Sequence, residues 1–168
     1  MKYERFEQLS VWQTGIDLSV KLFALTEDRS FRFRGDIANQ LQRAGLSVPN
    51  NIAEGFERGT REELITFLYY ARGSAGEVRS ILCVCERLVA FAHLKSEISD
   101  LKSLAESTSR QLRAWADSLQ NSDIRGQRYL TDRSRSMYKQ RESTQQFLAG
   151  LKATVAANIE KRNEERRN

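Results

Sequence analysis

Apolar residues recur along this chain at spacings of three or four, in four separate blocks. That period marks one face of an α-helix, where residues three and four apart are neighbours. The first block runs from Phe6 to Leu25, with Leu9, Trp12, Ile16, Val20 and Phe23 on its stripe, and ends at the polar turn Thr26-Glu27-Asp28-Arg29-Ser30. The second runs from Gly35 to Phe56 with Ile37, Leu41, Ala44, Val48 and Ile52 on one side, and Gly55 and Gly59 bracket its end. The third opens at Thr60-Arg61-Glu62-Glu63, a capping box with Thr60 at the cap and Glu63 three residues on. It continues through Leu64, Leu68, Ala71, Ala75, Val78, Leu82, Cys85 and Val89. The fourth carries Leu94, Ile98, Leu101, Ala105, Thr108, Leu112, Trp115 and Leu119. A repeat near 3.5 residues describes helices packed almost parallel to one another's axes. The short break at Ala92-His93 makes the last two antiparallel neighbours. The pattern predicts an all-α fold: an antiparallel up-and-down four-helix bundle over residues 1–122, then a basic, helix-permissive C-terminal extension over residues 123–168.

The only proline interrupts the second block. Pro49 has no N–H, and its ring crowds the carbonyl four residues back, that of Gly45. A kink is expected there, with Ser47, Asn50 and Asn51 as candidate partners for the freed carbonyl. The cluster reads either as a device that fixes how two helices pack or as a polar binding pocket. A second irregularity lies in the third block, where Ala71, Gly73, Ser74, Ala75 and Gly76 weaken a good helix. They imply close approach by another backbone or by a ring such as Trp12. Glu54 and Glu77, near small residues, are candidates for partly buried carboxylates, with Arg43, Arg58 and Arg72 as counter-charges.

Charge changes the picture more than composition does. The chain holds 27 Lys/Arg and 22 Asp/Glu; residues 1–122 hold 16 of each, which leaves 11 and 6 for residues 123–168 and the whole net charge of +5. A neutral body with a basic tail is a pattern for contact with nucleic acid or another polyanion. In the tail, Arg125, Arg128, Arg133, Arg135, Lys139 and Arg141, interrupted by Tyr129 and Tyr138, form the strongest candidate phosphate-tracking strip. Between the first two helices, Arg29, Arg32 and Arg34 interleave with Phe31 and Phe33. Guanidinium forks bind phosphate and rings stack on bases, or the two rings plug the end of the bundle while the arginines face water.

Catalytic constellations are weak. A single histidine, His93, cannot supply a di-iron bundle, and no second feature builds a Ser-His-Asp or Cys-His arrangement on it. Gly73-Ser74-Ala75-Gly76 lacks the Lys-Ser/Thr of a P-loop. A carboxylate-only metal site at Glu54 and Glu77 is a remote alternative. The expectation is no enzyme, no cofactor and no metal. Cys83 and Cys85, two apart, do not face each other on a helix. With no secretory pattern ahead of the first helix and no apolar run near the ~20 residues that span a bilayer, a soluble cytoplasmic protein without a membrane partner is expected.

The run Gln40-Leu41-Gln42-Arg43-Ala44 … Ser47-Val48-Pro49-Asn50-Asn51-Ile52-Ala53-Glu54-Gly55 resembles the hallmark of bacterial four-helix-bundle proteins encoded within ribosomal RNA intervening sequences. Phe67-Leu68 … Ala71-Arg72-Gly73-Ser74 … Glu77 is similar to that family's second motif, and Phe6-Glu7-Gln8-Leu9-Ser10-Val11-Trp12 to its opening segment. The likeness covers roughly residues 5–122. It implies a ring-like homopentamer that binds RNA or DNA without catalysis. Through the related accessory variability determinant proteins of diversity-generating retroelements, it also implies a reverse transcriptase as partner. It further implies that Gln40, Arg43, Pro49, Asn51, Glu54, Gly55, Gly73, Ser74 and Glu77 are structural, with Asn51, Glu54, Ser74 and Glu77 a shared polar core. The alternative is a protein-interaction scaffold that touches no nucleic acid.

Overall fold

In the computed structural model the four patterns form α1 (Ser10–Thr26), α2 (Ile37–Glu57), α3 (Arg61–Arg87) and α4 (Lys95–Gln120). Short 3-10 turns lie at Phe6–Gln8, Arg29–Phe31 and Val89–Leu94. Residues 3–32, 34–122, 126, 136 and 140–151 are described, and none of them is in a strand. The chain divides into two compact units, Met1–Arg128 and Tyr129–Asn168. In the second unit, residues 140–151 are helical and exposed.

Within the first unit each long helix packs on two others, in the cyclic order α1, α2, α3, α4. Side-chain bonds fix the directions. Ser19 reaches Gly45 and Gln42 reaches Thr26, so α1 and α2 are antiparallel. Lys102 meets Glu86 and Arg79 meets Glu106, so α3 and α4 are antiparallel too. The core has two layers. One gathers Leu18, Leu22, Leu41, Val78, Leu82, Phe91 and Ile98 around the α1–α2 and α3–α4 connections. The other gathers Leu9, Val48, Ile52, Leu68, Ala75 and Leu112 towards the opposite end.

The local rules explain the ends. Thr60 caps α3 by accepting the Glu63 N–H at 3.2 Å, and its hydroxyl donates to the Glu63 carboxylate at 2.6 Å. Gly59, at φ 77, ends α2 in the left-handed region that a side chain resists. Gly55 has a different reason: a Cβ there would lie 2.6 Å from Phe67 Cβ and 3.3 Å from Leu64 Cα. The start of α3 therefore sits directly on the backbone of α2.

Two expectations about the core need correction. The buried side of α1 is Val11, Gly15, Leu18, Ser19, Leu22 and Leu25, whereas Val20 is 63% exposed and Phe23 39%. Two apolar stripes compete on this helix. The one that wins includes a glycine and a serine, because only small residues let α2 come close: a Cβ at Gly15 would be 3.3 Å from Val48 Cγ1. Val89, expected on the α3 stripe, instead lies in a 3-10 turn and is 90% exposed.

The Pro49 expectation also changes. α2 runs through Pro49 without a break from Ile37 to Glu57. The carbonyl that Pro49 frees, Gly45 O, accepts a hydrogen bond from Ser19 Oγ of α1 at 3.0 Å, not from Ser47, Asn50 or Asn51. The same hydroxyl lies 2.8 Å from Gly15 O, so its single proton is shared between the two carbonyls at the α1–α2 contact.

Candidate nucleic-acid interface

The connection between α1 and α2 is built around Asp28. Its carboxylate accepts the Ser30 N–H at 2.8 Å, which caps the Arg29–Phe31 turn, and its other oxygen lies 3.2 Å from His93 Nε2 in the α3–α4 connection. The Ser30 backbone and side-chain bonds first, then the His93 contact, hold the Asp28 carboxyl down to a pKa of about 2. The turn drives Phe31 inward, where it is 4% exposed and packs on Phe91 with ring centroids 4.6 Å apart. Of the two readings of this segment, Phe31 takes the plugging role. Phe33 lies outside the described residues.

The plug turns the arginines outward. Arg29, Arg32 and Arg34 are exposed. Arg34 sits 5.6 Å from the Phe91 ring centroid, a cation–π distance. None of the three is in an ion pair among the described residues. Arg87, in the last turn of α3, and Lys95, at the start of α4, are exposed at the same end and in no ion pair among the described residues, and their charges add to the Lys102 hydrogen bond in holding the Glu86 carboxyl below its ordinary pKa. Sequence reasoning missed these two, because only the Asp28–His93 and Phe31–Phe91 contacts bring the connections together. Glu27, Asp36 and Glu97 share this end, so it presents unengaged guanidinium groups rather than a uniformly positive field. Among the other candidates, Arg125, Arg128, Arg133, Arg135 and Lys139 lie outside the described residues. Arg141 is exposed on the helix of residues 140–151.

Asp28 makes this end acid-sensitive. Its folded pKa of about 2 lies below the ordinary 3.8, so its contribution to stability is fully present above 3.8 and fades as pH falls towards 2. Asp28→Asn is expected to lower the melting temperature at pH 7. The gap to wild type should close between pH 4 and pH 2. A gap that stays constant across that range in thermal melts would assign the effect to something other than ionisation.

The motif residues on α2 and α3 occupy a different face. Asn51 Nδ2 donates to Ser47 O at 2.7 Å and lies 2.9 Å from Ser47 Oγ, which in turn is 2.9 Å from Ser74 Oγ. This half-buried chain joins the two helices. Glu54 and Glu77 are exposed and do not belong to it, contrary to the expected shared core. Glu54 pairs with Arg58 at 2.6 Å. Arg58 also bonds Glu63 and lies 4.6 Å from the Phe67 ring centroid. Of the other expected counter-charges, Arg72 stacks towards Tyr69 at 6.0 Å and exposed Arg43 is in no ion pair among the described residues. Pro49 and Gly55 are buried, and Gln40 is exposed. Gly73 and Gly76 are exposed too, and a Cβ on either meets nothing within 4 Å, so neither marks a close approach among the described residues.

Among the described residues no group of three or more His, Cys, Asp or Glu is placed to hold a metal, and no helix is long and apolar enough to cross a membrane. The groove between α3 and α4 carries cations already met by carboxylates, Lys102 by Glu86 at 2.6 Å and Arg79 by Glu106 at 3.7 Å. What the described surface offers chemically is a set of exposed guanidinium groups outside ion pairs, whose planar fork has the geometry to meet a carboxylate or a phosphate.

Three comparisons bear on this reading. A crystal structure from the S23 ribosomal protein family of Bacteroides thetaiotaomicron, a protein of unknown function, matches with a TM-score of 0.54 and 17% identity. The match covers 63% of this chain and 97% of that one, a likeness of fold. No curated protein matches the sequence. The family model for the 23S rRNA-intervening sequence protein matches residues 7–114, which span α1, α2, α3 and most of α4, and the chain belongs to that family.

Proposed function

We propose that the protein is a non-enzymatic nucleic-acid-binding accessory protein, an up-and-down four-helix bundle that works as a ring-like homo-oligomer and takes RNA as its ligand. The observation that carries this reading is the Arg29, Arg32 and Arg34 trio. These are three exposed guanidinium groups without carboxylate partners among the described residues, displayed on a turn that Asp28 and the Phe31–Phe91 pair hold in place. Binding breaks no ion pair when the donors are already free, and the backbone that carries them is held by the Asp28 and Phe31 contacts. The family's description names 23S rRNA intervening sequences, and RNA rather than DNA is taken as the first ligand to test on that ground alone. The basic residues beyond position 122 add charge of the same sign. A reverse transcriptase as partner rests on the resemblance alone.

The test is binding of the full chain to a labelled single-stranded RNA across a salt series. A linear fall of log affinity against log salt is expected, at about 0.7 per neutralised phosphate. Absence of binding at low salt would move the protein to the scaffold class.

A further inference from the structure

The exposed apolar side chains of the first unit are not scattered. Apart from Val89, every large one among the described residues falls in one of two patches. Val20 and Phe23 form the first on the outer side of α1, joined by Leu46 of α2, which follows Gly45, the residue bonded by Ser19 just before Val20. Tyr69, Tyr70 and Val84 form the second, on the outer side of α3. There Gly73, Gly76 and Ser80 lie on the line from Tyr69 to Val84, all exposed, and nothing among the described residues fills the space over the glycines. Helices α1 and α3 are diagonal in the cyclic order, so the patches face away from each other.

We infer that the two patches are the two halves of one interface, and that the partner is a second copy of this chain, docked with its α1 patch on the α3 face of its neighbour. This rests on the self-association already proposed and assigns its surfaces. Shape favours it, because Phe23 and Val20 project from one side and the other is cut back at Gly73 and Gly76. Charge favours it as well. Exposed Glu27 and Arg87 lie at the C-terminal ends of α1 and α3, helices that run the same way, so side-by-side docking brings these opposite charges together. Arg43 beside the α1 patch and Glu77 on the α3 face carry the opposite signs and do not add to it. A two-fold dimer through either patch leaves the other bare. Joining unlike patches buries both, and a head-to-tail contact of this kind builds a closed ring or a filament. Side-by-side docking also carries the arginines of every copy to the same rim.

Two variants test the assignment, with assembly read by sedimentation of the full chain. Wild type is expected as a discrete species of more than two copies. Phe23→Arg and Gly73→Arg should each sediment as monomers with unchanged helicity, since both positions are exposed. Mixed one to one, they should form a species of two chains and no larger: the Gly73→Arg chain keeps its α1 patch, the Phe23→Arg chain keeps its α3 face, and the remaining contact sets arginine against arginine. Val20→Arg and Val84→Arg repeat the test should either first variant fail to fold. A monomeric wild type, a single variant that assembles like wild type, or a mixture that stays monomeric would each overturn the assignment. Salt-dependent RNA binding by a monomeric wild type would leave the nucleic-acid reading standing.

Discussion

Ser19→Ala is expected to lower the stability of the folded chain by about 2 kcal/mol, and most of that loss should vanish when Pro49 is also replaced by alanine. The reason is one carbonyl. Pro49 deprives Gly45 O of its helical partner, and Ser19 Oγ, 3.0 Å away and 3% exposed, supplies the replacement from the next helix. Removing the hydroxyl leaves a buried acceptor unpaired, which costs about 1–3 kcal/mol. With alanine at 49 the helix regains an N–H four residues on, and Gly45 no longer needs Ser19. Pro49→Ala alone mixes two opposed effects, relief of a helix-interior proline and weaker packing against Gly15, so the informative quantity is the coupling. Denaturant melts of the four proteins at one concentration measure it. Strict additivity would mean that Ser19 acts only within its own helix, through Gly15 O.

How legible this chain was depends on which residues carried each feature. The four helices follow from leucines, isoleucines and valines at helical spacing, and Thr60 with Glu63 marks the start of α3, because burial and capping are local properties of sequence. The register of α1 was not legible. The buried stripe contains Gly15 and Ser19, whose value lies in what they permit α2 to do, so the more apolar stripe through Val20 and Phe23 looked like the core. The partner of Gly45 was illegible for the same reason: it comes from 26 residues earlier in the chain. Glu54 and Glu77 were expected inside because small residues surround them, yet small residues at Gly73 and Gly76 face outward. At the candidate interface, the arginines of the α1–α2 connection could be read from the sequence. Arg87 and Lys95 could not, because no local pattern says that two connections meet at one end.

Replacing Arg29, Arg32 and Arg34 together by glutamine is expected to weaken RNA binding by about 100-fold at low salt, at about 1 kcal/mol or more for each charge-assisted hydrogen bond to phosphate removed. It should also flatten the slope of log affinity against log salt by about 2, since each phosphate on a single strand contributes about 0.7. Folding should change little: all three side chains are exposed, and only the cation–π pairing of Arg34 with Phe91 disappears, worth about 0.5–1 kcal/mol. A matched variant separates a site from bulk charge. Arg5, Arg110 and Arg113 are also exposed, but each lies within ion-pair distance of a carboxylate, those of Glu7, Glu106 and Asp117. Changing these three to glutamine removes the same net charge from cations that are already engaged. If the reading is right, this second triple keeps nearly the wild-type slope while the first gives up its share. Equal weakening in both would show that RNA senses only the net charge. An unchanged slope in the first triple would move phosphate recognition away from the α1–α2 connection and onto the basic residues after Ser122.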